Sequence, residues 1–200
     1  MRVVGLIGGV ASGKSTVAAE LEKLGARILN ADHIVHALLG EPEIKSQLKQ
    51  LFGENIMDSQ GNVDRRIVAK IVFGDDSNSQ SLRKKLENIL HPAVRIEADK
   101  LLSLWRSQNV DLAVIDAPLL IEAGWTPMCD AILFVDTPQH LREEWAARRG
   151  WSAEELTRRE NSQLALTEKQ HRSTHRIVND GDLKTLADRI SQFWQDIVGD

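Results

Sequence analysis

Short apolar segments alternate with amphipathic stretches along much of this chain. Several of the segments are almost free of polar residues, as strands buried on both faces of a parallel sheet are. Amphipathic repeats of helical period follow the first segment and end the chain. Because strands that alternate with helices over long crossovers form a parallel sheet flanked by helices, the pattern predicts an α/β fold. The five predicted strands cover residues 3–7, 26–30, 112–116, 131–136 and 176–179.

The segment 37–110 has a different texture. It is charged, it is interrupted by Gly53, Gly61 and Gly74, and its apolar residues recur at helical spacing without a buried-strand pattern. We therefore expect a helical insertion at 37–110, within a core made of residues 1–36 and 111–200.

Composition limits the size and the partners of the protein. Its 200 residues, 42% of them hydrophobic, suffice for one core with an inserted subdomain but not for two large independent domains. A formal net charge of -4 gives no global attraction for nucleic acid or anionic membranes, so we expect small partners. Cys129 is the single cysteine, and no apolar stretch approaches the roughly 20 residues of a membrane span. Both features predict a cytoplasmic location.

A glycine-rich segment follows the first predicted strand and fits the pattern G-x-x-x-x-G-K-[ST]: Gly8-Gly9-Val10-Ala11-Ser12-Gly13-Lys14-Ser15-Thr16. The pattern builds a phosphate-binding loop, because glycines let backbone N–H groups converge on phosphate oxygens at a helix N-terminus. Lys14 would reach the β- and γ-phosphates, and the Ser15 hydroxyl would bind Mg²⁺. The sequence therefore predicts that the chain binds a nucleoside triphosphate.

Two carboxylates lie at or just beyond the ends of predicted strands. The carboxyl ends of parallel strands share one edge of the sheet, so Asp32 and Asp116 should face the same crevice as Lys14. Asp32 fits two roles equally well, a base that takes a proton from an attacking hydroxyl or the N-cap of the next helix. Asp116 follows the Walker-B pattern, in which it would hold Mg²⁺, while turn initiation before Pro118 is the alternative.

The segment His91-Pro92-Ala93-Val94-Arg95 stands out within the insertion. Proline is favoured in the first turn of a helix, so the segment predicts a helix start with His91 near its N-cap and Arg95 one turn further on. Such a basic pair suits a phosphate. A helix start with a solvated arginine fits the same five residues.

Basic residues crowd together between residues 141 and 176. A run of charge is usually a solvated helical face, yet phosphoryl transfer needs cations that close over the triphosphate and exclude water. We therefore expect a helical lid at about 140–172 with at least one catalytic arginine. The basic residues are Arg142, Arg148, Arg149, Arg158, Arg159, Lys169, Arg172 and Arg176.

Taken together, the motifs resemble the dephospho-coenzyme A kinase family, P-loop enzymes that transfer the ATP γ-phosphate to the ribose 3′-hydroxyl of dephospho-CoA. The resemblance covers nearly the whole chain and implies a P-loop kinase core, a helical substrate domain and a lid. It is carried by the phosphate-binding loop, by Ala31-Asp32, and by further motifs along the chain: Phe52-Gly53, Gly61-Asn62-Val63-Asp64-Arg65, Phe73, the His91–Arg95 segment and Asp116-Ala117-Pro118-Leu119-Leu120-Ile121-Glu122.

The resemblance also implies residue roles. Asp32 would be the general base, in preference to a helix cap, and would act with Lys14 and with Arg148 of the lid, while Arg159 and Gln163 lie further along that lid. Mg²⁺ would be held by Ser15 and Asp116. ATP would contact Gly8, Gly9, Ala11, Ser12, Gly13, Lys14, Ser15, Thr16, Arg148 and Asn179, the last of these near the adenine. Dephospho-CoA would contact Asp32, Arg65, His91, Arg95 and Leu119.

Three places depart from the family pattern, and one of them is Ser173-Thr174, where the family frequently has Ala-Asp before the last strand. Asn30 stands where the family usually has an aspartate, which removes a carboxylate that could help to position Mg²⁺. Glu144 stands where a basic lid residue is common, a change for which Arg142 or Arg149 would compensate. Two alternatives stay open: a kinase of another small nucleoside or nucleotide acceptor, and an ATP-binding regulatory module without transfer activity.

Overall fold

The computed structural model describes residues 1–74 and 76–199. In this part of the chain the strands are β1 (Arg2–Gly8), β2 (Arg27–Asn30), β3 (Leu112–Asp116), β4 (Ala131–Asp136) and β5 (His175–Val178). The α-helices are α1 (Lys14–Lys23), α2 (Ala31–Leu38), α3 (Pro42–Phe52), α4 (Arg65–Val72), α5 (Ser77–Ser107), α6 (Gln139–Arg148), α7 (Ala153–Asn161), α8 (Leu166–His171) and α9 (Leu183–Gly199). Short 3₁₀ turns lie at Glu54–Ile56 and Thr126–Met128. No helix among the described residues is long and apolar enough to cross a membrane.

The strands form one sheet in the order β2-β3-β1-β4-β5, and every neighbouring pair is parallel. The predicted five-stranded parallel sheet is therefore confirmed. Because all strands run the same way, their carboxyl ends lie along one edge of the sheet. In register, Asn30 at the end of β2 lies opposite Asp116 at the end of β3, and Gly8 at the end of β1 lies opposite Val135 of β4.

Packing on the sheet explains why its central strands are nearly all apolar. Residues of β1, β3 and β4 are fully buried under α1 and α9, whose apolar stripes contribute Leu21, Leu186 and Ile190. Complete burial of one such side chain stabilises the fold by roughly 1.5–3 kcal/mol. This packing holds β1 and α1, and with them the loop that joins these two elements.

The chain forms two compact units. The first comprises Met1–Asn30 and Leu102–Asp200, and the second comprises Ala31–Leu101. The second unit is helical and has a core of its own, in which Leu48 and Ile56 are fully buried and Leu82 and Leu86 pack against them. The predicted role of this helical segment in binding the substrate stays a prediction.

One predicted helix boundary is wrong. Pro92 does not begin a helix but lies inside α5, which runs from Ser77 to Ser107. Proline removes one N–H···O=C bond from a helix. Apolar residues continue on both sides of it, from the half-buried Ile89 to the buried Val94, so tertiary packing holds the helix through the proline. His91 is consequently an exposed residue in the middle of a helix.

Candidate active site

The phosphate-binding loop joins the end of β1 to the start of α1. Gly13, immediately before α1, has φ 83°, and its carbonyl accepts hydrogen bonds from Thr16 N at 2.9 Å and Val17 N at 3.1 Å. The turn is completed by Ser12 N, which donates to Gly9 O at 3.3 Å. The N-terminal N–H groups of α1 and the positive end of its dipole therefore face the loop. Such a helix N-terminus is suited to bind an anion such as a phosphate.

The loop glycines are required by close contacts. A Cβ atom on Gly8 would lie 2.7 Å from Ser12 Oγ and 2.9 Å from Val135 O, and one on Gly13 would collide with Asn179 Nδ2. Ala11 has φ 57°, a left-handed conformation that costs a non-glycine residue roughly 1–2 kcal/mol. Strain of this kind persists where the surroundings over-determine the backbone, as in ligand-binding loops.

Two side chains from distant parts of the sequence hold the loop through one carbonyl. Ser12 O accepts hydrogen bonds from Thr137 Oγ1 at 2.8 Å and from Asn179 Nδ2 at 3.0 Å, and all three residues are buried. Ser12 Oγ is itself a buried polar atom with no hydrogen-bond partner among the described residues. Such a group costs roughly 1–3 kcal/mol and is therefore tolerated mainly where function needs it.

Lys14 lies within a group of positive charges. Its Nζ donates to Gly9 O at 2.8 Å and to Gly8 O at 3.4 Å. Burial, together with the positive charges of Lys169, Arg149 and Arg142, lowers the pKa of Lys14 to about 8, although the Asp116 carboxylate opposes that shift. A bound polyphosphate would supply the negative charge that this group of cations lacks.

Asp116 supplies a carboxylate at the edge of the sheet next to the loop. Its Oδ2 accepts a hydrogen bond from Asn30 Nδ2 at 3.4 Å, so Asn30 contacts the Asp116 carboxylate across the β2–β3 pair. Among the described residues, His, Cys, Asp and Glu form no group of three or more that could hold a metal ion. The donor set of the Ser15 hydroxyl and the Asp116 carboxylate instead fits Mg²⁺, which takes few protein ligands beside phosphate and water.

The two arginines of α6, Arg142 and Arg148, differ sharply in environment. Arg142 is 6% exposed, forms an ion pair with Glu160, and donates from Nε to Thr137 O at 3.3 Å. Burial lowers the pKa of Arg142. The Arg148 side chain is 70% exposed and pairs with Glu144 at 2.5 Å. The buried arginine beside the loop is thus Arg142, whereas Arg148, the arginine implied by the family resemblance, lies in solvent.

Cation–π contacts join the last turn of α7 and the C-cap of α6 to Trp151, which lies between the two helices. The Arg159 guanidinium lies 4.2 Å from the ring centroid of Trp151, and Arg149 lies over the same ring at 5.6 Å. Arg159 also donates to Glu155 at 2.7 Å. Cation–π contacts of this kind contribute about 0.5–1 kcal/mol at exposed sites.

The second unit carries the remaining predicted polar residues. Asp32 is exposed in the first turn of α2, and the residue that precedes this helix is Asn30. Arg65 begins α4, because Asp64 caps that helix by accepting from Arg66 N at 2.9 Å. Arg65 Nη1 lies 3.2 Å from His36 Nδ1.

His91 and Arg95 stand one turn apart on α5, and Arg95 Nε donates to Asp99 at 3.4 Å.

Leu119, which the family resemblance implied, and Thr137, which it did not, both follow strands of the first unit. Leu119 is half-buried in the turn that follows β3. The sequence analysis did not identify Thr137. This residue directly follows β4, at the edge of the sheet where the phosphate-binding loop lies, so its place after a predicted strand could have identified it. No sequence feature separates the buried Arg142 and Lys169 from the six other basic residues named between residues 141 and 176.

Comparison with known proteins yields consistent similarities. A family model described as Dephospho-CoA kinase matches residues 2–185. The dephospho-CoA kinase of Geobacter sulfurreducens is 38% identical over 197 residues, which cover 97% of this chain and 98% of that protein. The corresponding protein of Rhodopirellula baltica is 37% identical over 184 residues, which cover 92% and 85%. A crystal structure of TT1252 from Thermus thermophilus matches with a TM-score of 0.82 and 34% identity, covering 98% of this chain and 97% of that one.

Proposed function

Because the chain belongs to the dephospho-CoA kinase family, we propose that it transfers the γ-phosphoryl group of ATP to the ribose 3′-hydroxyl of dephospho-CoA, giving coenzyme A and ADP. The observation that carries the proposal is the phosphate-binding loop itself. The loop brings a helix N-terminus together with Lys14 and nearby cations. The family match over residues 2–185 includes this loop. The single cysteine supports a cytoplasmic location for the reaction.

ATP would bind with its phosphates in the loop. The N–H groups around Gly13 and the first turn of α1 would bind phosphate oxygens, and Lys14 would leave its carbonyl partners to reach the β- and γ-phosphates. Ser15 and Asp116 would hold Mg²⁺, which supplies charge neutralisation at the phosphates when bound. Asn179 would lie near the adenine while its amide supports the loop.

Asp32 would act as the general base. As the 3′-oxygen forms its bond to the γ-phosphorus, the carboxylate accepts the hydroxyl proton, and the bond from that phosphorus to the bridging oxygen of ADP breaks. Two features support this role: Asp32 is exposed, and only one residue separates it from Asn30 at the carboxyl end of β2.

Basic residues would bind the other negatively charged groups of the two substrates. Arg148 would close over the triphosphate from the end of α6, with Arg142 already buried beside the loop. Arg65, His91 and Arg95 would bind phosphate groups of dephospho-CoA, and Leu119 would contact its apolar part. Arginine suits this task because its planar donors match phosphate oxygens.

A direct assay tests the proposed function. ADP release is measured with Mg-ATP and dephospho-CoA, and separately with adenosine and AMP, and each phosphorylated product is identified by mass. Turnover confined to dephospho-CoA supports the proposal. Preference for adenosine or AMP would point to a kinase of another acceptor, and ATP binding without any transfer would point to a regulatory module.

A further inference from the structure

Lys169 is a buried ammonium that the proposed chemistry does not use. Its side chain in α8 is 1% exposed and is among the largest fully buried side chains of the described residues. Its Nζ donates to Gln163 Oε1 at 2.7 Å and lies 3.9 Å from Glu122 Oε1. Burial lowers the pKa of Lys169, while Glu122 opposes that shift. A buried charge is costly even when it is paired, so stability alone does not explain a lysine here.

The partners of Lys169 fix the connection between α7 and α8. Glu122, in the turn that follows β3, accepts the backbone N–H of Leu164 at 2.8 Å. Gln163 is the neighbouring residue of the same connection. Lys169 therefore contacts the connection through the Gln163 side chain. It also lies beside the Glu122 carboxylate, which accepts the backbone N–H of Leu164 in the same connection.

The residue that follows this connection, Leu166, packs against the phosphate-binding loop. Leu166, the first residue of α8, packs so closely on Gly9 that a Cβ there would lie 3.2 Å from Leu166 Cδ2 and 3.1 Å from Arg142 Cδ. A cavity of about 360 Å³ opens between these elements, and Gly9, Arg142, Gln163, Leu166 and Lys169 are among its lining residues. The 162–165 connection ends at Leu166, so its position affects how Leu166 packs against Gly9.

We propose that Lys169 is a positioning residue for phosphoryl transfer, which acts through Gln163 and Glu122 to hold the α7–α8 connection and, with it, the contact of Leu166 on Gly9. The proposal rests on the proposed function for its catalytic consequence. Lys169 itself touches no reacting atom in this role. Its effect is on the alignment of the loop that carries the phosphates, and loss of alignment lowers turnover more than it lowers stability.

Three variants test the proposal. In Lys169→Met, an uncharged side chain of similar length replaces the ammonium, and we expect kcat to fall about 10- to 100-fold. We expect the KM for dephospho-CoA to change less than about twofold. The midpoint of thermal unfolding should change little, because the Glu122 carboxylate that loses its partner is 22% exposed to water and keeps its hydrogen bond from Leu164 N–H. Lys169→Arg should recover most of the turnover. Lys184→Met, at an exposed lysine paired with Asp188, is the matched control and should keep wild-type kcat.

A second pair of variants tests the route through Glu122. Glu122→Gln keeps an acceptor for Leu164 N–H but removes the charge, so it should lower kcat by less than Lys169→Met does. The double variant should be no slower than Lys169→Met alone, because both residues act through the same connection. Additive losses would contradict a shared route. An unchanged kcat in Lys169→Met, or a fall in kcat matched by lost stability, would overturn the proposal.

Hydrogen exchange separates this proposal from the proposed function. In the protein without substrates, the amide of Leu164 should exchange at least about tenfold faster in Lys169→Met than in the wild type, because its acceptor is less firmly held. Unchanged exchange would count against Lys169. If the wild type fails to phosphorylate dephospho-CoA, the proposed function fails. The exchange rate of the Leu164 amide in the two proteins still decides whether Lys169 positions this segment.

Discussion

Single side chains set the shape of the phosphate-binding loop from outside it. The Ser12 carbonyl has two donors, the Thr137 hydroxyl and the Asn179 amide, and each comes from the loop that follows a different strand. Asn179 also fills the space in which a Cβ on Gly13 would lie. The loop therefore depends on residues that the phosphate pattern does not contain.

We predict that Asn179→Ala weakens ATP binding about tenfold, since one buried hydrogen bond contributes about 1 kcal/mol and the loop loses its packing at Gly13. Asn179→Asp should weaken binding further, because a carboxylate oxygen would then face the Ser12 carbonyl. Thr137→Val and Thr137→Ser form the matched pair: only the valine should reduce affinity. Isothermal titration with an ATP analogue checks these values, and equal affinities for all four variants would contradict the prediction.

Lys14 makes ATP binding sensitive to alkaline pH. Its pKa is lowered from 10.5 to about 8, so the free protein loses this charge as the pH rises through about 8. Binding to phosphate requires the charged form, so ATP affinity should be constant below that pH and should fall above it. Lys14→Arg keeps its charge throughout this range and should lack the fall. Parallel affinity profiles of the two proteins between pH 7 and about 10 would refute the assignment.

The base role of Asp32 separates binding from turnover. Asp32→Asn keeps the shape of the side chain but cannot accept the proton, and the phosphate-binding loop is unchanged. We expect turnover to fall by about 10²- to 10⁴-fold while ATP affinity stays at the wild-type value. Single-turnover kinetics beside ATP titration measures both quantities. Turnover close to wild type would exclude Asp32 as the base.

At the scale of elements, the strands follow from local sequence and α5 does not. Each strand is a short apolar run, and burial on both faces leaves few other conformations for such a run. Pro92 signals a helix boundary in sequence, yet α5 continues through it because apolar residues on both sides are packed. Local preference loses here to tertiary packing.

The proline in α5 should reduce the stability of its own unit. Pro92→Ala restores a backbone N–H to an exposed helical position, and we expect a gain in unfolding free energy of up to about 3 kcal/mol. Lys84→Ala, at another exposed position of the same helix, is the control and should change stability by less than about 0.5 kcal/mol. Urea unfolding followed by circular dichroism measures both. A destabilised Pro92→Ala protein would mean that the native backbone at residue 92 suits proline better than a regular helical turn.

At the scale of the whole molecule, the two compact units are predicted to divide the two substrates. The first unit holds the phosphate-binding loop, while Arg65, His91 and Arg95 belong to the second. An ATP analogue should slow hydrogen exchange in α1 and at the end of β1. Dephospho-CoA should slow exchange in α4 and α5. Exchange in residues 31–101 that does not respond to dephospho-CoA would contradict a substrate-binding role for that unit.

Sequence by itself determined the features that depend on neighbouring residues. The apolar runs specify the strands, and their alternation with helices specifies a parallel sheet. The G-x-x-x-x-G-K-[ST] pattern specifies the loop, because glycines and a helix start within nine residues are enough to define it. The order of motifs along the chain also pointed to the family that the comparisons then identified.

Only the tertiary structure decided which of many similar side chains meet at the loop. Ser12 and Asn179 lie 167 positions apart, and no local pattern links them. Eight basic residues crowd one stretch of sequence, yet packing buries Arg142 and Lys169 and leaves Arg148 in solvent. The physical reason is that periodicity records which face of an element is apolar, whereas the environment of one charge depends on every segment packed around it.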